Sequence, residues 1–554
     1  MATLETFFCS SLTKILPGRK PENTILCGEA LRGERFSFQL VFKCSEPREF
    51  IRVKADSPFG NRLTVRETVW VPVNYMGFDC DDNVESALPG LFPDLLAPLP
   101  PDGWLCATPQ WKSVWITVDI PRNAAPGKHK ISFTITQRNV LINRDLIQSE
   151  QQIEFPLEVI NALLPPQKLI NTHWFHCDCL ADYYNVPVFS EKHWQIIANF
   201  MKNAAAHGIN MILTPIFTPP LDTLEGTQRP TVQLVDISCR NGKYSFGFKK
   251  LERWITLAEK CGIKYFEMAH LFTQWGAAYT PGIVVKTDGR KKRVFGWEKA
   301  ADSPEYIRFL DAFLPALTDF FKQKKMTDKV YFHCSDEPGD DHFDLYSKNQ
   351  KLLSKYLKGF KIIDALSHPD YFTSGVISTP IPVESKLEDF IAAGMKERWT
   401  YYCCAPERIY CNRFIHMKSA RNRIFGSLLY KYKVRGFLHW GFNFYYASLS
   451  RYLIDPYRNC TSGSAFPPGD GFLVYPGKNG LPEDSIRHEV FFEGLQDQRA
   501  LLLLEKRIGR EQVEQILDSF APAGCLKMDS YPAGEKQVLA LRSKINQLIR
   551  ENCC

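Results

Sequence analysis

The sequence predicts a multidomain protein: an N-terminal β-sandwich, a (β/α)8 barrel of the TIM type, and a C-terminal helical extension. Three observations predict it. Apolar and polar residues alternate with a period of two through the first ~160 residues. Strand-like runs then alternate with helical ones over ~280 residues. After Ser485 the pattern is helical. The expected boundaries are residues 1–164 for the sandwich, 165–505 for the barrel and 506–554 for the extension.

In the first part, Arg35-Phe36-Ser37-Phe38-Gln39-Leu40-Val41-Phe42 alternates, and so does Val114 to Ile120, which Pro121 ends. Ala125-Pro126-Gly127 reads as a turn, and Ile131, Phe133 and Ile135 resume the alternation. Such strands pair antiparallel with one face buried. Leu164-Pro165-Pro166-Gln167 is the expected hinge.

Eight candidate strands follow, beginning near Leu169, Met211, Tyr265, Val330, Lys361, Val376, Trp399 and Phe437. Between the first two, Trp194, Ile197, Met201 and Ala204 share one helical face, and Gly208 ends that helix. Ser303-Pro304 opens another with a cap and an N1 proline; Ile307, Leu310, Leu314 and Leu317 line its face. Pro219 to Lys249 is expected as an extended loop over the barrel mouth. The chain then closes on the apolar run Leu501 to Leu504 and an amphipathic helix from Glu535 to Arg550.

Of the 554 residues, 45% are hydrophobic and 23% charged, enough to bury a large core. The net charge of +7 is mild for this length, and Arg290-Lys291-Lys292-Arg293 reads as a solvated turn, so nucleic acid is not an expected partner. No run reaches the ~18 apolar residues of a membrane span. Phe7-Phe8-Cys9 is too short for a secretory apolar segment, and Lys14 and Arg19 follow soon after. The 17 cysteines are irregularly spaced, with no CxxC pair. Reduced thiols and a cytoplasmic location are therefore expected. His176-Cys177-Asp178-Cys179 alternates too tightly along a strand to hold zinc, so no metal is expected.

The most informative segment is Tyr331-Phe332-His333-Cys334-Ser335-Asp336-Glu337-Pro338, a short strand ending in two adjacent carboxylates. Barrel enzymes keep their acid/base groups at such strand ends. The plain alternative is a loop whose acids cap the next helix. The other strand ends supply His173 and Trp174; Glu267, His270 and Trp275; Asp364 and His368; Trp399, Tyr401 and Tyr402; and Trp440 with Asn443. Any one tryptophan reads more readily as core. Together they suggest a carbohydrate site, because aromatic faces stack on sugar rings and carboxylates bind hydroxyls.

Several segments resemble glycoside hydrolase family 123, whose known activity is β-N-acetylgalactosaminidase. They are Arg32-Gly33-Glu34, Phe38-Gln39, Leu91-Phe92-Pro93-Asp94, His333 to Pro338, Gly436-Phe437-Leu438-His439-Trp440, Gly469-Asp470-Gly471 running on to Gly477, and Ser485-Ile486-Arg487. The resemblance spans nearly the whole chain. It implies a retaining exo-glycosidase that releases β-linked N-acetylgalactosamine by substrate-assisted catalysis through an oxazolinium. Glu337 would protonate the leaving oxygen and Asp336 would hold the acetamido N–H. Tyr401 or Tyr402 would meet the acetamido carbonyl, Trp440 would floor the pocket, and Asp470 would join the substrate-binding set. The implied partner is a glycan or glycoside with a terminal N-acetylhexosamine, and no cofactor is called for.

The residues leave two alternatives open. One is a different glycosidase using Asp364 or Glu267 as a second carboxylate. The other is a catalytically silent carbohydrate-binding protein that keeps the aromatic cleft.

Overall fold

The computed structural model describes residues 4–44, 49–78, 83–101, 103–106, 109–139 and 149–553. Two sheets form the N-terminal sandwich. One holds Leu4–Ser10, Arg35–Cys44, Trp111–Asp119, Leu63–Val73 and Gly90–Pro98, all antiparallel. The other holds Gly28–Arg32, Ser149–Leu163, Gly127–Asn139, Glu49–Asp56 and Trp104–Cys106. The alternation in the sequence becomes register: Phe38 lies opposite Ile116 and Leu40 opposite Val114. Phe38, Phe42, Ile116, Phe133 and Phe155 fill the space between the sheets.

The expectation of a single buried face is incomplete. Gln39 and Trp115 point the other way and are also fully buried, because that face packs on the barrel. Trp115, Val71 and Phe92 share one core with Phe442, Phe472 and Ile486 from the far side of the chain. The Gln39 amide is satisfied by the Ser10 and Thr13 carbonyls and the Ser113 hydroxyl, as a buried polar group requires. Two strands from beyond the barrel, Val474–Pro476 and Pro482–Ser485, extend the same sheet by pairing Ser485 with Leu95. The sandwich is thus completed by sequence that follows the barrel's last strand.

The barrel strands are Ile170–His173, Met211–Thr214, Tyr265–Met268, Val330–Phe332, Lys361–Leu366, Thr379–Pro382, Trp399–Tyr401 and Gly436–His439. All pair in parallel in chain order, the last pairs with the first, and a bridge from Val383 to Tyr401 closes the ring. The sixth strand begins three residues after the expected Val376. Ile170, Met211, Leu213, Ile363, Ile381, Trp399 and Leu438 pack the interior. Gly436 is required there, since a Cβ would lie 2.2 Å from the Trp399 ring.

Helix Glu191–Ala206 is capped by the Ser190 side chain, which accepts from His193 N–H. Pro304–Gln323 starts with proline as expected, although the Ser303 side chain makes no cap bond. The final barrel helix, Ile486–Ile508, lies against Ser419–Lys431. Their backbones meet at Gly426 and Gly494; a Cβ on Gly426 would lie 1.8 Å from the Gly494 carbonyl. In the extension, Glu535–Cys553 lies back over the sandwich, where Arg542 and Arg550 reach Glu34 and Glu29 at 2.7 and 2.9 Å. Among the described residues no helix is long and apolar enough to cross a membrane.

Pro219 to Lys249 is not simply a loop. It contains the hairpin Asp236–Arg240 and Lys243–Gly247, which joins Ile283–Thr287 and Arg290–Phe295 in a four-stranded sheet. The basic run Arg290 to Arg293 is therefore in a strand. The turn lies just before it, at Asp288-Gly289, both with positive φ.

A buried ion pair joins the domains. The Arg487 guanidinium binds Asp94 of the sandwich through Nε and Nη2 at 2.9 and 3.0 Å and the Gly469 carbonyl through Nη1 at 2.7 Å. Tyr475 adds a hydroxyl to Asp94 at 2.7 Å. Removing one partner of such a pair strands the other charge and typically costs ~3–5 kcal/mol. Asp94→Ala is therefore expected to lower Tm sharply, and Asp94→Ala with Arg487→Met to recover part of the loss. Thermal unfolding of the three proteins checks this, and a double variant no more stable than the single one contradicts it.

Candidate active site

At the C-terminal end of the barrel is a cleft with about 620 Å³ of space, part of it open to solvent. Asp336 and Glu337 enter it from the fourth strand, Trp174 from the first and Tyr401 from the seventh. Trp440 comes from the eighth, and Gln274 and Trp275 from the loop after the third. A second cavity of about 470 Å³ lies behind segment 218–223, but its lining contains no carboxylate.

Glu337 is aimed by its backbone. Its φ is +42°, and two other lining residues, Trp275 at +54° and Asp222 at +40°, share that left-handed conformation. A non-glycine residue held there costs roughly 1–3 kcal/mol, and such strain clusters at functional sites. Hydrogen bonds hold the strained segments together. Trp275 N–H donates to the Asp336 carbonyl at 2.9 Å, Asp222 N–H to Gln274 Oε1, and Leu449 N–H to Asp222 Oδ2 at 3.0 Å. Tyr401 donates its hydroxyl to Glu337 Oε1 at 2.5 Å.

Beneath the pair is a sealed layer of charge. His333 Nε2 lies 2.5 Å from Glu267 Oε1, and its Nδ1 lies 2.9 Å from Asp364 Oδ1. Glu267 also accepts from the Trp174 indole at 2.8 Å and the Thr172 hydroxyl at 2.6 Å. Asp364 accepts from Tyr346 at 2.5 Å and from Cys334 N–H at 3.1 Å. Burial works against a charged imidazole, but Glu267 and Asp364 outweigh it and lift His333 to about 10. His333 is thus an imidazolium at neutral pH.

Burial, and then the charge of Glu337, holds Asp336 well above the usual carboxylate range, with His333 opposing. Burial also raises Glu337, while the Tyr401 hydrogen bond favours its ionised form. The two titrate as a pair.

Of the residues read from the sequence, Trp174, Trp275, Asp336, Glu337, Tyr401 and Trp440 line the cavity. The others do not. Glu267, His270 and Asp364 are buried one layer down, with His270 stacked on His333 at 4.2 Å. His173 alternates with Thr172 and Trp174, so it faces outward onto Phe437 and Phe491. Tyr402 alternates with Tyr401 and packs on Phe425 and Phe437. Trp399 begins its strand, so its ring fills the barrel interior below the mouth. Asn443 bonds both backbone groups of His176. Asp470 is buried and accepts the Trp440 indole N–H at 2.7 Å, with burial raising its carboxyl to about 7. His368 is partly exposed and pairs with Asp340 at 2.9 Å. Asp340 and Asp341 lie in a short 3-10 turn ahead of Phe343–Tyr356, and the N-cap residues Gly339 and His342 make no side-chain cap bond.

Leu221, Asp222, Cys403, Cys404 and Phe466 also line the cavity. They sit on loops beyond the strand ends, where no periodicity singles them out. The paired cysteines and the lone aspartate were visible only as residue types.

Among the described residues two clusters bring three ligand-type side chains together: His270, His333 and Asp364, and His207, Asp484 and His488. In the first, both nitrogens of His333 already face carboxylates. In the second, Arg35 Nη1 lies 3.0 Å from His207 Nε2. Neither arrangement is free to receive a cation without rearranging. The Cys177–Asp178–Cys179 segment opens a short helix rather than a strand, and Asp178 is bound by Arg229 at 2.6 Å.

The catalytic-domain profile of glycoside hydrolase family 123 matches residues 174–504, and the chain belongs to that family. A family 123 glycoside hydrolase from Clostridium perfringens, described for glycolipid glycan hydrolysis, has the same fold with a TM-score of 0.72. It is 17% identical, over 99% of this chain and 97% of its own. A GH5 xyloglucanase from Bacteroides ovatus, 10% identical over 85% of this chain and 98% of its own, gives a TM-score of 0.30, too low to carry an argument. A search of curated proteins found no match.

The raised carboxyls have a consequence for stability. A carboxyl whose folded pKa lies above the unfolded ~4 contributes fully below that value and loses its contribution as pH rises through the folded pKa. Asp336→Asn removes the cost of ionising this buried group. Its Tm is expected to exceed wild type by ~2 °C or more at pH 8, with the gain shrinking toward pH 4. A difference independent of pH contradicts the shift.

Proposed function

We propose that the chain is a retaining exo-β-N-acetylhexosaminidase that removes terminal β-linked N-acetylgalactosamine by substrate-assisted catalysis. The observation that carries this reading is the adjacent pair Asp336 and Glu337, directed into one aromatic-walled pocket while Glu267 and Asp364 are sealed beneath it. Neighbouring residues are poorly placed to flank a glycosidic bond as acid and nucleophile. They suit a reaction in which the sugar supplies its own nucleophile.

In that reaction the 2-acetamido carbonyl oxygen attacks the anomeric carbon as Glu337 gives its proton to the departing oxygen. A cyclic oxazolinium and a free alcohol result. Asp336 accepts the acetamido N–H and balances the positive charge. Water then attacks the anomeric carbon, Glu337 takes its proton, and the sugar leaves with retained configuration. Burial raises both carboxyls, so the pair retains a proton for this step. An acetamido N–H arriving at Asp336 stabilises its anion and leaves that proton on Glu337. Tyr401 turns from Glu337 to the acetamido carbonyl, and Trp440, held by Asp470, stacks on the sugar face.

The Clostridium perfringens relative makes glycolipid glycans the first substrates to examine. A cytoplasmic setting, expected from the thiol content, is part of the proposal. A two-carboxylate reaction has one candidate partner in the cavity, Asp222, whose carboxyl burial raises to about 6.

Two experiments test the reading. Glu337→Gln is expected to lose ~100- to 10,000-fold on natural leaving groups and far less on activated aryl glycosides, whereas Asp336→Asn loses activity on both. Identical leaving-group dependence in the two variants overturns the division of roles. Across mono-, di- and trifluoroacetamido aryl glycosides kcat/KM is expected to fall stepwise, as each fluorine weakens the carbonyl nucleophile. A flat series, or a covalent glycosyl adduct on Asp222, establishes the two-carboxylate reaction instead.

A further inference from the structure

Cys403 and Cys404 follow the seventh barrel strand and both line the cavity, with their sulfurs 3.8 Å apart. Adjacent side chains on an extended strand point to opposite sides, so this convergence needs a turn. The loop provides one. Cys403 N–H donates to the Ala405 carbonyl at 3.0 Å, and the Asn412 amide holds the Cys403 and Pro406 carbonyls at 2.9 and 3.2 Å. Both cysteines are half-buried and free of disulfides. They share the cavity wall with Tyr401 and Glu337.

We propose that Cys403 and Cys404 form a bidentate dithiol site for soft, thiophilic ligands in the wall of the glycan pocket, with monosubstituted trivalent arsenicals as the ligand class. A single thiol binds such a ligand weakly and reversibly. Two converging thiols close a ring around it, and the second bond forms at high effective concentration. Hydrogen bonding to Cys404, followed by burial, keeps the Cys403 thiol well above its usual range, so Cys403 starts as the thiol and gives up its proton as its sulfur bonds arsenic. With an arsenoso compound two As–S bonds form and the As–O bonds break. The two thiol protons leave with the oxygen as one water, and arsenic remains trivalent throughout. The captured group then stands beside Tyr401 and Glu337, where a sugar would lie.

Capture is a property of the cavity and is independent of the sugar assigned above; only the accompanying loss of turnover rests on the proposed function. The probe is phenylarsine oxide. The sequence carries a second adjacent pair, Cys553-Cys554, so the test uses full-length protein with both of these changed to serine. Intact-mass and peptide mapping are expected to show one arsenical bridging Cys403 and Cys404. Hydrolysis of an aryl N-acetylgalactosaminide is expected to fall with labelling, and excess 2,3-dimercaptopropanol to reverse both. Cys403→Ser and Cys404→Ala are each expected to slow capture at least tenfold, with far-UV circular dichroism confirming that they fold. Either variant suffices. Saturating N-acetylgalactosamine is expected to slow labelling of the parent. Bridging at Cys403 and Cys404 without loss of turnover upholds the dithiol site and overturns the assignment of this cavity to the reaction. Capture only at other cysteines, such as the buried Cys44 and Cys106, or undiminished capture in both variants, overturns the dithiol site.

Discussion

The structure depends on the buried pair of Asp94 and Arg487. Asp94 is on a sandwich strand and Arg487 opens the last barrel helix, so the pair ties one domain to the other. Its third bond, to the Gly469 carbonyl, carries the constraint into the pocket. Gly469 has a φ of +84°, and a Cβ there would lie 2.6 Å from the guanidinium, so only glycine allows the approach. The next residue, Asp470, accepts the Trp440 indole N–H. A sandwich carboxylate thus orients an aromatic wall of the cavity without reaching it. Among the described residues the sandwich offers no lining residue of its own to that cavity.

Under the cavity, His333 serves the same purpose electrostatically. Held between Glu267 and Asp364, it is a fixed positive charge that opposes the rise of the Asp336 carboxyl. The same Glu267 anchors the Trp174 indole. One layer therefore sets the position of an aromatic wall and the charge state of the acid pair. Such groups act because they are rigid before a ligand arrives, which spares the reaction the cost of reorganising them. The left-handed backbone at Glu337, Trp275 and Asp222 belongs to this pre-organisation. Hydrogen bonds among the strained loops keep it from relaxing.

The cavity combines this rigid floor with a wall of different character. Cys403 and Cys404 lie on a loop whose conformation is set by Asn412, not by strand pairing. The cysteine pair therefore sits on a loop beyond the seventh strand, and the acid pair at the end of the fourth strand itself.

The sequence by itself determined the architecture. The eight strands were legible because each interior-facing barrel strand is a short apolar run between turn signals, and the sandwich because one-sided burial writes a period of two. It also determined the acid pair, since two carboxylates at a strand end are a local feature, and both lie in the cavity. Only the tertiary structure decided which strand-end residues meet there. Tyr401 and Tyr402, or His173 and Trp174, are equivalent by type, and the pleat sends one of each inward and the other to the helices. Glu267 and Asp364 look like substrate ligands in sequence, but burial and the demand for paired charge commit them to His333. Asp222 came from a loop tied to Gln274 and Leu449 far along the chain, and Cys403 and Cys404 from a loop folded on itself through Ala405 and Asn412. The return of Val474–Pro476 and Pro482–Ser485 to the sandwich rests on the Asp94 to Arg487 contact and the pairing of Ser485 with Leu95. Local periodicity reports which face of an element is buried, but not what buries it, and that is a property of the folded chain alone.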